Sequence, residues 1–223
     1  MAFKAPPKLP NLLEKVIRFK ALRWKNGKLA LFDVPGILFQ LYAFAYKQRL
    51  LENQLGIKKA ANIYYRVGKF QGKQGVRMTS ERFGYAKTFI DKKRLLEFNV
   101  QQSNLVGFGE MKWAKIDFNK NIFVMVGKSA LAEEYVRFFG LQKNPIDYFL
   151  RGCTTAIIEE VVDRKMLCIE TKCIAKGNRY CEFVVRPIED WDKKSLLFKQ
   201  QLVKDLPNIK ELGAKIEPYL LIR

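Results

Sequence analysis

Histidine is absent from all 223 residues of the chain. That absence removes Ser-His and Cys-His nucleophilic pairs, imidazole metal ligands, and the one side chain whose charge ordinarily switches near neutral pH. No apolar run reaches the roughly 18–20 residues that a membrane-spanning helix needs; the richest stretch, 34–46, has Gln40 inside it. The N-terminus lacks the apolar core and cleavage pattern of a signal peptide, so a cytoplasmic protein is expected. Cysteine is scarce. Cys153, Cys168, Cys173 and Cys181 are too few for a disulfide scaffold of this length, which leaves metal binding or plain core packing. Gly68, Gly72 and Gly75 match neither phosphate-loop spacing, and they follow a helical stretch where those loops follow a strand. Close helix packing or a helix end accounts for them more simply. The chain also shows no convergent acid, base and nucleophile set, so a non-enzymatic protein is expected.

What is abundant is positive charge. Lysine and arginine total 41 against 22 acidic residues, a formal net charge of +19. The excess is uneven: residues 1–28 hold eight basic side chains and one acidic, and residues 57–97 hold eleven and three. A field of that sign attracts nucleic acid, acidic proteins or anionic lipid, with strong salt dependence; a solvated lysine-rich surface of the thermophilic kind is the plainer alternative. Basic residues interleave with aromatics at Tyr64, Tyr65, Arg66, Lys69, Phe70, Lys73, Arg77, Arg82 and Phe83, a pattern able to follow a nucleic-acid backbone. No RNP motif or clear helix-turn-helix accompanies it.

The stretch with the most chemistry is Cys173-Ile-Ala-Lys-Gly-Asn-Arg-Tyr-Cys181, preceded by Glu170. Its flanks are β-branched, aromatic and sulfur-bearing, and Lys176-Gly177-Asn178 tolerates the positive φ of a tight turn, so two short strands are expected with the thiols opposite one another. Cross-strand Cβ atoms at such a pair lie roughly 4.5–5.5 Å apart, which suits two thiolates on one tetrahedral metal and disfavours a relaxed disulfide. Zinc is the first expectation; the alternative is that all four cysteines are small buried hydrophobes and Glu170 faces water.

Glu170-x-x-Cys173, Cys181 eight residues on, the aromatic Phe183 and the closing Asp190-Trp191 together resemble the 4-vinyl reductase domain family. That family includes a bacteriochlorophyll-synthesis protein, the effector-sensing domains of phenol- and toluene-type activators, stand-alone archaeal proteins and relatives of the TRAPP vesicle-tethering subunits. Upstream, Asn26-Gly27-Lys28-Leu29-Ala30-Leu31-Phe32, the segment from Leu55-Gly56-Ile57 to Gly68, and Phe138-Phe139-Gly140 fall in the family's order. The resemblance implies a compact α+β unit that commonly dimerises through its helices, hence a homodimer. It places three zinc ligands on Glu170, Cys173 and Cys181. The fourth position, a cysteine in the phenol-sensing branch, falls on Asp147, which implies two thiolates and two carboxylates; Cys153 and Cys168 are alternative fourth ligands. It further implies a buried apolar pocket, for which Phe108, Trp113, Phe123, Tyr135, Phe139 and Tyr148 are the candidates, against the alternative that these rings simply fill the core. Phenol sensors use a histidine as a polar handle; without one, a wholly apolar or lipid-like guest fits better than a phenol.

The organisation that follows is a basic N-terminal extension over 1–26, a domain over 27–191 and a helical tail over 192–223. The domain reads as α+β, an antiparallel sheet of two hairpins packed against helices. A strand from Lys28 should lead through Asp33 and Pro35 into an apolar helix ending near Gly56, with a second helix through Gly72 and a third over 82–98. A hairpin over 107–127 turns at Asn119-Lys120-Asn121, Ser129 caps a helix to Phe139, and a further helix covers 145–162. One difficulty is visible in advance: Glu170 and Cys173 are three apart, so on a regular strand they point to opposite faces and reach one metal only across a bulge.

Overall fold

The structure, a computed structural model, describes residues 22–25, 27–31, 34–83 and 89–201. The chain divides into two compact units, one of residues 1–40 with 205–223 and one of residues 41–204. In the first, β1 (Leu22–Lys25), β2 (Lys28–Leu31) and β3 (Val34–Gly36) form a small antiparallel sheet in that order. The helix expected to start at Asp33 and Pro35 therefore starts later: Pro35 pairs with Ala30 on an edge strand, a position where proline is tolerated.

The larger unit begins with three helices, α1 (Leu41–Leu55), α2 (Ile57–Phe83) and α3 (Phe89–Leu105). The third helix lies later than the sequence suggests, because α2 continues through its three glycines to Phe83. β4 (Gly109–Asp117) and β5 (Ile122–Ser129) form the expected hairpin, Ser129 caps α4 (Ala130–Phe139), and α5 (Tyr148–Val162) leads into the hairpin of β6 (Met166–Lys172) and β7 (Cys181–Pro187). The short α6 (Leu196–Gln201) follows. The two hairpins join through β5 and β7 into one antiparallel sheet of order β4-β5-β7-β6, and the α+β expectation holds.

The glycines on α2 have a packing role. Ala60, Tyr64, Gly68, Gly72 and Val76 recur every four residues, the spacing of one helical face, and all are buried. A Cβ on Gly68 would sit 2.1 Å from the carbonyl oxygen of Phe149, and one on Gly72 would sit 2.5 Å from that of Cys153. From the other side, a Cβ on Gly152 would sit 1.9 Å from the Tyr65 carbonyl. The backbones of α2 and α5 touch where no side chain fits between them.

That crossing sets α5 against the free edge of β6. Glu159, Thr155 and Arg151, spaced by four on α5, meet Met166 and Cys168, two apart on the strand, with Thr155 and Arg151 sharing Cys168. The Met166 amide donates to Glu159 (3.1 Å), the Cys168 amide to Thr155 Oγ1 (3.1 Å), and Arg151 Nε donates to the Cys168 carbonyl (3.1 Å). Four helical residues advance about 6 Å and two strand residues about 6.7 Å, so one face of the helix tracks the edge. Gln201 on α6 completes it: the Glu170 amide donates to Gln201 Oε1 and Gln201 Nε2 donates to the Glu170 carbonyl, each at 2.9 Å.

Candidate metal centre and neighbouring polar sites

Glu170 is fixed on β6 by that edge pairing, and its side chain enters the core with no exposure. The ladder between β6 and β7 shifts register between Glu170 and Lys172, a bulge at Thr171 that resolves the parity problem: Cys173, three residues on, comes to the same side as Glu170. Beyond the paired region the chain turns through Ile174–Lys176 and Gly177, at φ +88°, and Asn178 Oδ1 accepts from the Cys173 amide at 2.9 Å. Cys181 opens β7. Asp147 arrives from another part of the chain as the residue preceding α5, and it gives that helix no side-chain cap because its carboxylate is turned elsewhere.

Asp147, Glu170, Cys173 and Cys181 are all fully buried, and one donor atom from each lies within 4.8 Å of every other. Each carboxylate is held by one oxygen. Ser129 Oγ donates to Asp147 Oδ1 (2.7 Å), and the Asp147 amide donates to Glu170 Oε2 (3.2 Å). The second oxygens face the cluster: Cys181 Sγ donates to Asp147 Oδ2 at 3.5 Å, and Glu170 Oε1 has no hydrogen-bond partner at all. The Ile174 amide donates to Cys181 Sγ at 3.3 Å. With zinc–sulfur bonds of about 2.3 Å and zinc–oxygen bonds of about 2.0 Å, a tetrahedral sulfur–oxygen edge is about 3.5 Å long, so the Cys181–Asp147 separation already suits a shared ion. The donor chemistry and the orphaned Glu170 oxygen both fit zinc.

Four acids with no cation among them cannot all ionise. Burial, followed by the charges of Asp147 and Cys173, drives the Glu170 carboxyl well above the usual carboxylate range. Burial raises Asp147 to about 6, against the opposing hydrogen bonds from Ser129 and Cys181. The thiols split: the hydrogen bond from Cys181 pulls Cys173 down, while that same contact and then burial push Cys181 far up. A divalent cation reverses this arrangement by favouring every deprotonated form.

Cys153 and Cys168, the alternative fourth ligands, lie outside this cluster. Cys153 sits at the α2–α5 crossing, and the Cys168 thiol is buried beside α5, where burial raises both to about 12. The aromatic candidates are spread through the core. Phe123 and Tyr135 are fully buried, Phe108 stacks on Phe149 at 5.4 Å between centroids, Phe139 meets Tyr135 edge-on at 5.0 Å, and Trp113 Nε1 donates to the Leu96 carbonyl (2.9 Å). Tyr148 lines a cleft of about 280 Å³ that the other five do not reach.

Sequence reasoning missed a buried polar node on α1. Glu52 accepts the Tyr135 hydroxyl and Gln48 Nε2 (3.3 Å), and Gln48 also donates to the Ile146 carbonyl (2.9 Å). Burial and then the Glu52 charge push the Tyr64 hydroxyl up to about 12 and the Tyr148 hydroxyl higher. Tyr64 Oη and Gln48 Oε1 are buried without a partner. The signal available in the sequence was Gln48 and Glu52, four apart on an otherwise apolar face of the helix with Ala45. The basic stripe on α2 is also less free than its sequence suggests: Lys69 pairs with Glu159 (2.8 Å), and Lys73 and Arg77 pair with Glu160 (3.2 and 2.8 Å). No helix among the described residues is long and apolar enough to cross a membrane.

Helices laid on one antiparallel sheet form an α+β fold that this chain shares with a solved sensory domain. The phenol-responsive sensory domain of the transcription activator PoxR, solved with phenol, matches over 90% of this chain and 100% of its own, with a TM-score of 0.71 at 17% identity. In sequence, the phenol regulator MopR of Acinetobacter guillouiae is 21% identical over 199 residues, and an uncharacterised protein of Methanocaldococcus jannaschii is 27% identical over 128. The matches cover 86% and 57% of this chain, and 34% and 65% of those two relatives. No family model matches the chain. The α+β fold that the sequence resemblance implies is present, and it is shared with the PoxR sensory domain.

Proposed function

We propose that this chain is a non-enzymatic sensory domain that holds a small hydrophobic ligand and carries a structural zinc clip at Asp147, Glu170, Cys173 and Cys181. The observation that carries the reading is the buried four-donor cluster on a fold shared with a phenol-responsive domain. When bound, zinc cross-links the last hairpin to the start of α5. Four protein donors leave no position for an activated water, so the role is structural.

The ligand is assigned to the interior between the β4–β5 hairpin and the helices, among Phe108, Trp113, Phe123, Tyr135, Phe139 and Tyr148. Two buried polar atoms without partners, Tyr64 Oη and Gln48 Oε1, support a guest with one polar group on an apolar body, since such orphaned atoms are rare in folded proteins. Ligand entry would part α1, α4 and α5 around Glu52 and so alter the helical surface. Tyr42, Tyr46 and Leu50, four apart on α1 and exposed, form an apolar stripe on that surface, which supports a homodimer there. The domain is assigned to 27–191, acting in the cytoplasm.

Native mass spectrometry of freshly purified protein tests the reading in one spectrum. It predicts a dimer with one zinc per chain and added organic mass after incubation with small hydrophobic compounds. A metal-free monomer that retains nothing contradicts it.

A further inference from the structure

The cleft lined by Tyr148 holds a cation that neither the metal centre nor the ligand interior uses. Arg151, in the first turn of α5, is 1% exposed and lines this cleft. Burying a guanidinium costs several kcal/mol unless an anion faces it, yet Arg151 has no carboxylate partner among the described residues. Its Nε and Nη2 donate to the carbonyls of Cys168 (3.1 Å) and Gln201 (2.6 Å), and the group lies over the Tyr65 ring at 5.3 Å. Nη1 has no hydrogen bond among the described residues.

The rest of the cleft has the same polarity. Lys58 is a second cation in its wall, Asn62 and Gln201 bring amides, and none of its described lining residues is acidic. The N-terminus of α5, a fifteen-residue helix, opens here without a side-chain cap because Asp147 is turned into the metal cluster. Uncapped amides at that end add positive potential. Pro145 and the Tyr148 ring supply apolar wall, and the volume of about 280 Å³ admits only a small molecule.

We propose that this cleft is a second site that binds a small organic carboxylate. Nε and Nη2 each spend one N–H on a backbone carbonyl, which leaves both N–H groups of Nη1 to meet a carboxylate oxygen. Lys58 and Asn62 meet the other oxygen, and the apolar wall takes the organic body. A phosphate dianion leaves the apolar wall of Pro145 and Tyr148 unused, whereas an organic carboxylate fills it. The site goes beyond the zinc and hydrophobic-ligand reading and shares only Tyr148 with the residues named for it.

Benzoate is the probe, titrated calorimetrically into the full chain, with benzamide as the neutral isostere and inorganic phosphate as the plain anion. Expected is saturable benzoate binding at least tenfold tighter than benzamide or phosphate. Arg151→Gln should abolish it. Because Arg151 also braces β6, Lys58→Glu and Ala61→Phe, which reverse and fill the wall, provide the second test, each weakening benzoate at least tenfold with the fold intact. Three results would overturn the site: no saturation by roughly 1 mM benzoate, equal binding of benzamide or phosphate, or benzoate binding untouched by Lys58→Glu and Ala61→Phe. The last of these would move benzoate to another site and leave the interior-ligand reading standing.

Discussion

β4 and β6 are the two edge strands of one sheet, and the protein finishes them differently. β4 leaves Lys112, Ala114 and Lys115 exposed, and lysine on an edge discourages further strand pairing. A single amide closes part of it: the Met111 amide donates to Asn104 Oδ1 (2.9 Å), and Asn104 Nδ2 donates to the Met111 carbonyl (2.8 Å). β6 is buried from Met166 through Glu170, and its edge is satisfied by Glu159, Thr155, Arg151 and Gln201 in turn. Gln201 repeats on Glu170 the reciprocal pairing that Asn104 makes on Met111. The strand that carries Glu170 is held along its length, whereas β4 is closed at Met111 and carries exposed lysines beyond it. The position of Glu170 is fixed first by its backbone, through the paired amide of Gln201.

The largest break in that comparison is at the helix crossing. Gly152→Val drives a side chain into the Tyr65 carbonyl and lifts α5 from α2, and should cost at least about 3 kcal/mol in denaturant unfolding. Hydrogen exchange should quicken at the Cys168 and Glu170 amides and change little at Met111. Gly75→Ala, on the same α2 but with open space around the new methyl, should instead stabilise by about 0.5–1 kcal/mol.

Next in size are the two amide caps. Gln201→Leu strands the Glu170 N–H and C=O in the core and should cost about 2–3 kcal/mol, while Asn104→Leu at the part-buried β4 edge should cost about 1 kcal/mol. Equal losses in paired urea titrations would erase the distinction between the edges.

Smaller again is the pH response of metal-free protein. Folding raises the Asp147 and Glu170 carboxyls, so the folded state keeps protons that the unfolded chain releases. Their contribution to stability is present below the unfolded carboxylate range near pH 4 and is lost as pH rises through about 6, the value to which Asp147 is pushed. Thermal unfolding of chelator-treated protein should show a decline on the order of 1 kcal/mol between pH 5 and about 7. Added zinc should reverse the slope, because binding requires the deprotonated donors.

Much of this architecture was legible in the residues. The strand composition and turn residues of β4–β5 and of the cysteine hairpin, the Ser129 cap and the close packing at Gly68 and Gly72 follow from local rules, and each of those elements is present. The cluster of Asp147, Glu170, Cys173 and Cys181 was legible only in part. Cys173 and Cys181 declare themselves by symmetry about Gly177, but the bulge at Thr171 that brings Glu170 alongside has no sequence signature, and Asp147 was reached through family resemblance alone. What stayed hidden depends on tertiary contact. Arg151, Thr155 and Glu159 form a polar stripe with four-residue spacing on an apolar helix, a pattern that says something polar lies opposite without saying what. Pro35 shows the converse failure, a residue that suits a helix start and an edge strand equally well.

The most direct test of the central claim is the zinc content of protein expressed with zinc, measured beside thermal stability for the wild type, Glu170→Gln and the Cys173→Ser, Cys181→Ser double variant. One zinc per chain in the wild type is predicted, with weakened retention in Glu170→Gln and loss of both metal and thermal stability together in the double variant. Wild-type protein that stays metal-free, and whose unfolding temperature does not change when zinc is added, would contradict the account and leave the four side chains as a hydrogen-bonded acid cluster.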